Sequence, residues 1–338
     1  MNPPVFPEKS TCLAKKHLSA QIFQSLEHQK TDSGFTFLKA INSGIKNIDS
    51  AIGIYAGDAS SYNTFAPVLD PVIREYHDFL KTKKHRTDTS QIQLSNLDPE
   101  KKYIQSTRIR IARNLKNFNF PPHINLSCRR KLETIIISAL KTLKGNLKGQ
   151  YCSFNNSDNN KKIWFPKGDR FQDAAGINSD FPKCRGIFQS FDKQFMVWVN
   201  EEDHLRIIGL KKTADIAKIY NIVCKGLDKL SHKLDFARHD TYGYLASCPT
   251  NIGTSMRAGV HIKLDKLAKK KNILKDIVNS YKLQIRGTKG EKTKVKNSVF
   301  DISNQQRLGV SEYEIIQNLH KGLEAIIKIE ETLNTKTI

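Results

Sequence analysis

The stretch STRIRIAR, residues 106–113, alternates charged or polar side chains with apolar ones at a period of two. Because neighbouring side chains of a β-strand point to opposite faces, Arg108 and Arg110 would share one face and Ile109 and Ile111 the other. Arginine binds phosphate oxygens through paired hydrogen bonds. The pattern therefore predicts either a phosphate clamp on a rigid strand or an exposed strand face with solvated charges.

The chain before this stretch has a helical pattern over its first 80 or so residues. In LDPVIREYHDFL, residues 69–80, Asp70 is placed to cap a helix and Pro71 to occupy its first turn. Apolar side chains then recur at helical spacing: Val72, Ile73, Tyr76, Phe79 and Leu80. The pattern stops in a polar, charged stretch, which predicts a domain boundary within about residues 81–102.

The chain after STRIRIAR mixes the strand and helix periods. VHIKL (260–264) alternates as a strand, QFMVWVN (194–200) is a buried-strand run, and TADIAKIYNIVCKGLDKL (213–230) has one apolar helical stripe. Ser311 and Glu314 form a capping box ahead of a further apolar helical pattern. The sequence thus predicts a helical first part and a larger part of mixed α and β structure.

Composition and charge restrict the class of protein. At 338 residues, 38% of them hydrophobic, the chain can bury a substantial core. A balance of 55 Lys and Arg against 33 Asp and Glu gives a net charge of +22, which predicts anionic partners such as nucleotides, nucleic acid or acidic membrane. The six cysteines are scattered without a Cys-x-x-Cys pair, which argues against zinc and favours a reducing compartment.

Segments that would place the chain in a membrane or an organelle are not evident in the sequence. No apolar run approaches the roughly 20 residues that span a bilayer. The start, MNPPVFPEKS, has neither the apolar region of a signal peptide nor a transit-peptide pattern. We therefore expect a soluble, cytoplasmic protein without a membrane partner.

Two polar segments beside predicted strands could carry chemistry. NEEDHLR, residues 200–206, follows an apolar strand and contains Glu201, Glu202 and Arg206. It is either a solvated charged turn or a source of carboxylates for proton transfer and cation binding. CPTNIGTSMRAGVHIKL, residues 248–264, has a polar loop whose amides could bind an anion, and its Cys248 is either a small buried hydrophobe or a functional thiolate.

A third segment, RGTKGE, places Glu291 as a lone carboxylate among Arg286, Lys289 and further lysines. A solvated surface turn is one interpretation. The other is a mobile basic loop that closes on an anionic ligand and carries one carboxylate with it.

Taken in order, these segments resemble those of the phosphagen (guanidino) kinases, and among them the arginine kinases most closely. The resemblance extends from about residue 9 to residue 332. It rests on STRIRIAR, GDRF, CRGIF, FMVWVNEEDHLRII, CPTNIGTSMRAGVHIKL and IRGTKGEKT followed by VFDISNQQRLGVSEYE. The run SGIKNIDSAIGIYAGDASSYNTFAPVLDPVIREYH also resembles the small helical domain of that family, with its substrate-specificity loop at SAIGIY.

The resemblance implies an α+β fold: a small all-helical N-terminal domain and a larger domain with an antiparallel sheet flanked by helices. It places the helical domain at residues 1–85, a linker at 86–102 and the catalytic domain at 103–338. It also implies reversible transfer of the γ-phosphoryl group of Mg-ATP to the guanidino group of L-arginine, giving ADP and phosphoarginine.

The resemblance assigns the nucleotide to the arginines and their neighbours. Arg108, Arg110, Arg206, Arg257 and Arg286 would grip the phosphates, and Mg²⁺ would be held by phosphates and water, with Glu201 at most an indirect partner. The complete set implied for ATP is Ser106, Thr107, Arg108, Ile109, Arg110, Gln189, Arg206, Arg257, Ala258, Gly259, Val260, His261, Arg286, Gly287, Thr288, Lys289, Gly290, Glu291 and Asp301. Gln189 stands where arginine kinases usually have a histidine near the adenine.

For the guanidine, the resemblance implies that Glu202, Glu291 and Cys248 contact the reacting group, and that Arg206 completes the catalytic set. A guanidinium cannot attack phosphorus until it loses a proton, so two aimed carboxylates suit the task. The loop at about residues 286–297 would close over both substrates. The specificity loop that would bind the remainder of the substrate comprises Ser50, Ala51, Ile52, Gly53, Ile54 and Tyr55.

Alternatives to this prediction remain open at the level of sequence. The substrate could be another guanidine, such as taurocyamine, lombricine or creatine. The chain could also be a catalytically silent relative that binds nucleotide or nucleic acid through its charge, or an enzyme that phosphorylates arginine in proteins. We expect a monomer that acts on a small guanidine and ATP.

Overall fold

The computed structural model describes residues 6–154, 165–287 and 295–335. The first part of the chain is helical. Its helices pack around a core that includes Phe37, Ile41, Val68 and Ile73 and that Tyr242 and other residues of the larger part also enter. Its helices are α1 (Leu13–His17), α2 (Ala20–Leu26), α3 (Phe37–Lys46), α4 (Ser61–Thr64) and α5 (Ala66–His77). The all-helical N-terminal part is therefore confirmed.

The start of α5 differs from the sequence prediction. The helix begins at Ala66, so Asp70 and Pro71 lie inside it rather than at its N-terminus. Pro67 occupies the first turn, where the missing N–H of proline costs nothing. The Asp70 carboxylate instead accepts a hydrogen bond from the Tyr242 hydroxyl at 2.6 Å, which joins α5 to the larger part of the protein.

The larger part is built on an eight-stranded sheet in the order β2-β3-β4-β5-β1-β8-β10-β9. Every neighbouring pair is antiparallel. Its strands are β1 (Ile104–Arg113), β2 (Gly149–Ser153), β3 (Gly186–Ser190), β4 (Phe195–Val199), β5 (Leu205–Lys211), β8 (Met256–Lys263), β9 (Leu283–Arg286) and β10 (Val299–Asn304). Two short strands, β6 (Arg238–His239) and β7 (Gly243–Tyr244), form a separate hairpin.

Helices cover one face of this sheet, and their apolar residues join its core: α6 (Leu126–Leu140), α8 (Ile216–Ser231), α9 (Lys271–Ser280) and α10 (Glu312–Thr335). The short α7 (Arg170–Ala174) instead lies against α3, where its Ala174 and Phe171 carbonyls accept hydrogen bonds from Asn42 and Ser43. The apolar stripe of α8, with Ile219 and Val223, shares one core with Ile109 and Ile111 of β1. Ahead of α10, the Ser311 hydroxyl accepts from the Glu314 N–H at 3.2 Å and the Glu314 carboxylate from the Ser311 N–H at 2.7 Å. The predicted α+β fold and this capping box are thus confirmed.

STRIRIAR occupies the centre of the sheet, since β1 pairs with β5 on one side and β8 on the other. Ile109 and Ile111 are fully buried in the core. Arg108 and Arg110 therefore project from the opposite face of a strand that is held on both edges.

Residues 78–103, which join the two parts, contain no helix or strand. They nevertheless pack on the larger part. Ile92 is buried, its N–H donates to Asn221 Oδ1 at 2.9 Å, and its carbonyl accepts from the same amide. The Asp88 N–H donates to the Glu312 carboxylate at 3.1 Å. Within the described ranges, no helix is both long and apolar enough to cross a membrane.

Arg129 of α6 provides a test of the packing. Its side chain is fully buried, and within the described residues its three guanidinium nitrogens have no hydrogen-bond partner. Burial lowers its pKa to about 10. Because an unpaired buried charge is costly, we expect Arg129→Met to raise the free energy of unfolding by about 1–4 kcal/mol, measured by urea denaturation.

The adjacent Arg130 is exposed and offers a matched control. Arg130→Met should change the free energy of unfolding by no more than about 0.5 kcal/mol. Destabilisation by Arg129→Met would show that the buried guanidinium is compensated and would contradict the prediction.

Candidate active site

Two neighbouring cavities lie on the face of the sheet that carries the arginines. The larger, the carboxylate cleft, has a volume of about 470 Å³ and is lined by Glu201, Glu202, Arg206 and Cys248 among others. The smaller, the arginine cavity, has a volume of about 80 Å³. Arg110 lines both. A ligand in the cleft can therefore meet a second ligand at the Arg110 guanidinium.

The arginine cavity contains three guanidiniums on two adjacent strands, β1 and β8. Arg110 of β1 is paired in register with Arg257 of β8, and Arg108 with Gly259. Burial, together with the neighbouring Arg206, Arg108 and Arg257 guanidiniums, lowers the pKa of Arg110 well below its ordinary value. Crowded guanidiniums repel one another, so the cavity favours a polyanion such as a chain of phosphates.

Arg257 is held in place from the next strand. Its Nη2 donates to Asp301 Oδ2 at 2.8 Å and its Nε to the Ser303 hydroxyl at 3.1 Å. Gly259, on the same strand, allows β10 to lie close to β8, because a Cβ at this position would be only 2.7 Å from the Ile302 carbonyl oxygen. Arg257 is thus fixed in orientation before any ligand binds.

Two carboxylates of the cleft, Glu201 and Glu202, come from the turn between β4 and β5. Arg206 Nη2 lies 2.8 Å from Glu201 Oε2 and 2.7 Å from Glu202 Oε2. Burial, reinforced by the neighbouring Glu201 and Asp203 and opposed by Arg206, raises the pKa of Glu202 to about 7. A carboxylate with that pKa can exchange a proton near neutral pH.

Buried polar residues anchor this turn. The Asp203 carboxylate accepts from Asn114 Nδ2 at 2.6 Å and from the Ser247 N–H at 2.7 Å. His204 Nδ1 accepts from the Leu115 N–H at 3.0 Å, and its Nε2 lies 2.9 Å from the Asn119 carbonyl. Burial lowers the pKa of His204 to about 3, so its imidazole is neutral. Asp203 and His204 therefore position the turn, whereas Glu201 and Glu202 face the cleft.

Cys248 also lines the cleft, at the start of a short 3-10 turn. Its Sγ lies 3.1 Å from Thr250 Oγ1. Burial and the nearby Glu202 raise the pKa of this thiol to about 12, so Cys248 is a thiol in the ligand-free cleft at neutral pH. A thiolate would require further positive charge close to the sulfur.

Arg307 is a cleft residue that the sequence analysis did not assign. Its Nη1 donates to the Thr250 carbonyl at 2.7 Å and to Asn251 Oδ1 at 3.0 Å, so it holds the turn that carries Cys248. His77 of α5 contacts the Pro249 carbonyl of the same turn at 2.8 Å. The signal in the sequence was the position of Arg307 within the quoted run VFDISNQQRLGVSEYE.

The specificity loop contributes four of its six predicted residues to the cleft: Ser50, Ala51, Ile52 and Tyr55. Gly53 and Ile54 lie behind it. Ile54 is fully buried in the N-terminal core, and a Cβ on Gly53 would lie 2.6 Å from Cys12 Sγ.

Several amides of the loop are already hydrogen-bonded. The Ser50 N–H donates to the Asn47 carbonyl, the Gly53 N–H to the Ser50 hydroxyl and the Tyr55 N–H to the Ala40 carbonyl. Of the lining residues, Ala51 and Ile52 are therefore the candidates to donate amides to a ligand.

Thirteen of the nineteen residues predicted for ATP fall into three groups. Eight line the arginine cavity: Ser106, Arg108, Arg110, Arg257, Gly259, Val260, His261 and Asp301. Arg206 and Arg286 line the carboxylate cleft. The side chains of Thr107, Ile109 and Ala258 are buried on the core side of the sheet, so only their backbone could meet a nucleotide.

Two parts of the nucleotide prediction lie apart from these cavities. Gln189 lies on β3, where it pairs with Gln150 of β2 and Met196 of β4. The strand β4 separates it from β5, and Gln189 lines neither cavity. Gly287 is buried beside Arg286. Thr288, Lys289, Gly290 and Glu291 lie outside the described residues.

Within the described ranges, no cluster of three or more His, Cys, Asp or Glu side chains is arranged to hold a metal ion.

Comparison with known proteins places the chain in a family. Residues 8–74 match the ATP:guanido phosphotransferase N-terminal domain and residues 131–333 the ATP:guanido phosphotransferase C-terminal catalytic domain. The arginine kinase of Limulus polyphemus is 41% identical over 336 residues, which cover 96% of this chain and 94% of that protein. The arginine kinase of Anthopleura japonica is 40% identical over 98% of this chain, which spans about half (48%) of that longer protein.

Solved structures give the same result. A lombricine kinase superposes with a TM-score of 0.93 at 32% identity, covering 98% of this chain and 96% of that one. The substrate-free duplicated taurocyamine kinase of Schistosoma mansoni superposes with a TM-score of 0.89 at 31% identity, covering 96% of this chain and 47% of that one. The chain belongs to the ATP:guanido phosphotransferases, the phosphagen kinases, and is an enzyme of that family.

Proposed function

We propose that this protein transfers the γ-phosphoryl group of Mg-ATP to the guanidino group of L-arginine, reversibly, giving ADP and phosphoarginine. One observation supports this most. A carboxylate with a pKa of about 7, Glu202, shares a cleft with Cys248 and the specificity loop, and Arg110 joins that cleft to a cavity of arginines. Glu202 could accept the proton that the guanidino acceptor must lose, and the arginines could bind the phosphates of the donor.

In the proposed reaction, a guanidino nitrogen attacks the γ-phosphorus. The N–P bond forms, the bond from phosphorus to the β,γ-bridging oxygen breaks, and ADP leaves. The attacking nitrogen has no available lone pair until the guanidinium, with a pKa near 13.8, gives up a proton. Glu202 accepts that proton, and Arg206 keeps the Glu202 carboxylate aimed at the cleft.

The arginines supply alignment and charge. Phosphoryl transfer has a loose transition state, so catalysis depends on positioning the reactants and stabilising the charge on the phosphate oxygens. Arg108, Arg110 and Arg257 would hold the phosphates from the sheet, and Arg286 would approach from β9, next to the cleft. Mg²⁺, when bound with ATP, would neutralise part of the phosphate charge. In this proposal Glu291 is a second carboxylate for the guanidinium.

The cleft favours a zwitterionic amino acid at the end remote from the reacting group. Two carboxylates, Asp49 and Asp169, line it beside the specificity loop, where Ala51 and Ile52 offer amides. An α-ammonium group can meet the former and an α-carboxylate the latter. Taurocyamine ends in a sulfonate and has no α-ammonium group, so it could use the amides of the loop but not the two carboxylates.

The substrate is tested by one panel. With Mg-ATP, we expect kcat/KM for L-arginine to exceed that for creatine, glycocyamine, taurocyamine or lombricine by at least about tenfold, because the analogues differ from arginine at the end that would meet the specificity loop. Coupled release of ADP measures the rates. A preference for another guanidine would contradict the assignment of L-arginine as the substrate. If none of the guanidines is phosphorylated, a catalytically silent nucleotide-binding protein would be favoured.

The pH dependence tests the base. Glu202 must be ionised to accept a proton, and its pKa in the ligand-free cleft is about 7. We therefore expect kcat/KM for phosphoarginine synthesis to fall about tenfold per pH unit below that pKa, since kcat/KM reports the free enzyme. Glu201→Gln removes a neighbouring negative charge and should move the break to lower pH. A profile flat from pH 8 to pH 5 would exclude Glu202 as the base.

We further propose that the enzyme acts as a cytoplasmic monomer. All six cysteines are free thiols, which suits a reducing compartment. A molar mass of 38.5 kDa, that of one chain, from light scattering of the purified protein would support the monomer.

A further inference from the structure

A groove on the far edge of the sheet shares no residue with the two cavities described above. It lies between α9 and the edge strand β9 and has a volume of about 450 Å³. Leu274, Val278 and Phe300 line it and are almost completely buried, so its floor is apolar. Pockets of this size with an apolar floor and a few polar groups are the usual form of small-molecule sites. We call it the α9 groove.

Two lysines stand at the rim of the α9 groove. Lys271 and Lys275 are one helical turn apart, so they lie on the face of α9 that also carries Leu274 and Val278. Both are exposed, and among the described residues neither forms an ion pair. An apolar floor beside two unneutralised ammonium groups complements a ligand with an apolar chain and an anionic end.

We propose that the α9 groove binds a free aliphatic carboxylate, with its alkyl chain on the apolar floor and its carboxylate between Lys271 and Lys275. The amides of Asn279, Gln284 and Gln305 line the groove and complete its polar edge. A single-stranded nucleic acid would need exposed aromatic rings on which to stack its bases, whereas the aromatic ring here, Phe300, is 3% exposed. Inorganic phosphate would gain nothing from the apolar floor.

The experiment is calorimetric titration of the full-length protein with sodium decanoate below its micelle-forming concentration. We expect binding at one site. Acetate, which has the carboxylate without the chain, and decyltrimethylammonium, which has the chain with the opposite charge, should both bind at least tenfold more weakly. Equal binding of all three ligands, or no binding of decanoate, would overturn the proposal.

Variants locate the site. Lys271→Glu with Lys275→Glu should weaken decanoate binding at least tenfold, and Val295→Trp should do the same by filling the groove from its exposed side. The matched control is Lys269→Glu with Lys270→Glu, which makes the same change of charge on neighbouring exposed lysines that do not line the groove. Arg257→Ala should also leave decanoate binding intact, which excludes binding in the arginine cavity.

Thermal unfolding verifies that each variant is folded, and Lys271→Gln with Lys275→Gln replaces the charge reversal if that variant is not. Loss of binding in the Lys269 and Lys270 control would refute a defined groove. If the protein sediments with anionic phospholipid vesicles but does not bind decanoate, the basic face around the groove would be a membrane-binding surface instead, and the proposal would be wrong. All of these measurements are independent of kinase activity, so they remain valid if the proposed function fails.

Discussion

Glu202→Gln is expected to lower kcat for phosphoryl transfer by about 10²–10⁴-fold, the range that a positioned general base contributes. The amide keeps the size of the side chain but cannot accept the proton of the guanidinium. Its effect should be confined to the guanidine side of the site, because Glu202 lines the carboxylate cleft and not the arginine cavity. Steady-state kinetics at saturating substrate measures kcat, and calorimetry with Mg-ADP should give a Kd within about threefold of wild type.

Glu201→Gln is the control for Glu202→Gln. Glu201 contacts the same Arg206 nitrogen, and its exposure in the cleft is nearly equal, at 15% against 14% for Glu202. It should retain most of kcat, since the proposal gives it no proton to accept. Glu291→Gln, outside the described residues, should resemble Glu202→Gln. Wild-type kcat in both the Glu202 and Glu291 variants would refute the pair of carboxylates.

Arg257→Ala is expected to raise the Kd for Mg-ADP about 10–100-fold and to lower turnover as well. A charge-assisted hydrogen bond to phosphate is worth about 1.5–3 kcal/mol, which corresponds to that change in affinity. The loss affects ground and transition states together, because the phosphates of the nucleotide need Arg257 throughout the reaction. Calorimetry with Mg-ADP and the KM for Mg-ATP provide two measurements of the same effect.

Arg130→Ala is the matched control for Arg257→Ala. It removes the same side chain from an exposed site on α6 that lines neither cavity, so both Kd and kcat should stay at wild-type values. Asp301→Asn separates positioning from contact, since it leaves Arg257 present but weakens its 2.8 Å ion pair. An unchanged Kd in Arg257→Ala would exclude the phosphate clamp.

Sequence patterns predicted those features that depend on local chemistry. The period of two in STRIRIAR placed Arg108 and Arg110 on one face of β1, because side-chain direction in a strand follows from backbone geometry alone. The Ser311 and Glu314 capping box formed where the sequence indicated, since its hydrogen bonds join residues three apart. The predicted start of α5 was wrong by about five residues, because Pro67 suits a first turn as well as Pro71 does.

The resemblance to a family predicted more of the site than the hydrophobic and charge patterns did, but it did not predict individual side-chain contacts. It named Gly53 and Ile54 with the specificity loop, and the structure turns both toward the N-terminal core. It named Thr107 and Ala258 with the phosphate strands, and their side chains face the core because neighbours on a strand must alternate. Membership of a motif does not determine which way each of its side chains points.

The sequence by itself determined the class of structure, the central strand and the inventory of guanidiniums and carboxylates available for chemistry. Only the tertiary structure decided that Glu202, Cys248, Arg307 and Ala51, which are far apart in the chain, line one cleft. Tertiary structure also set the protonation of that cleft. The pKa values of about 7 for Glu202 and about 12 for Cys248 arise from burial and neighbouring charge, which depend on packing between distant segments rather than on residue type.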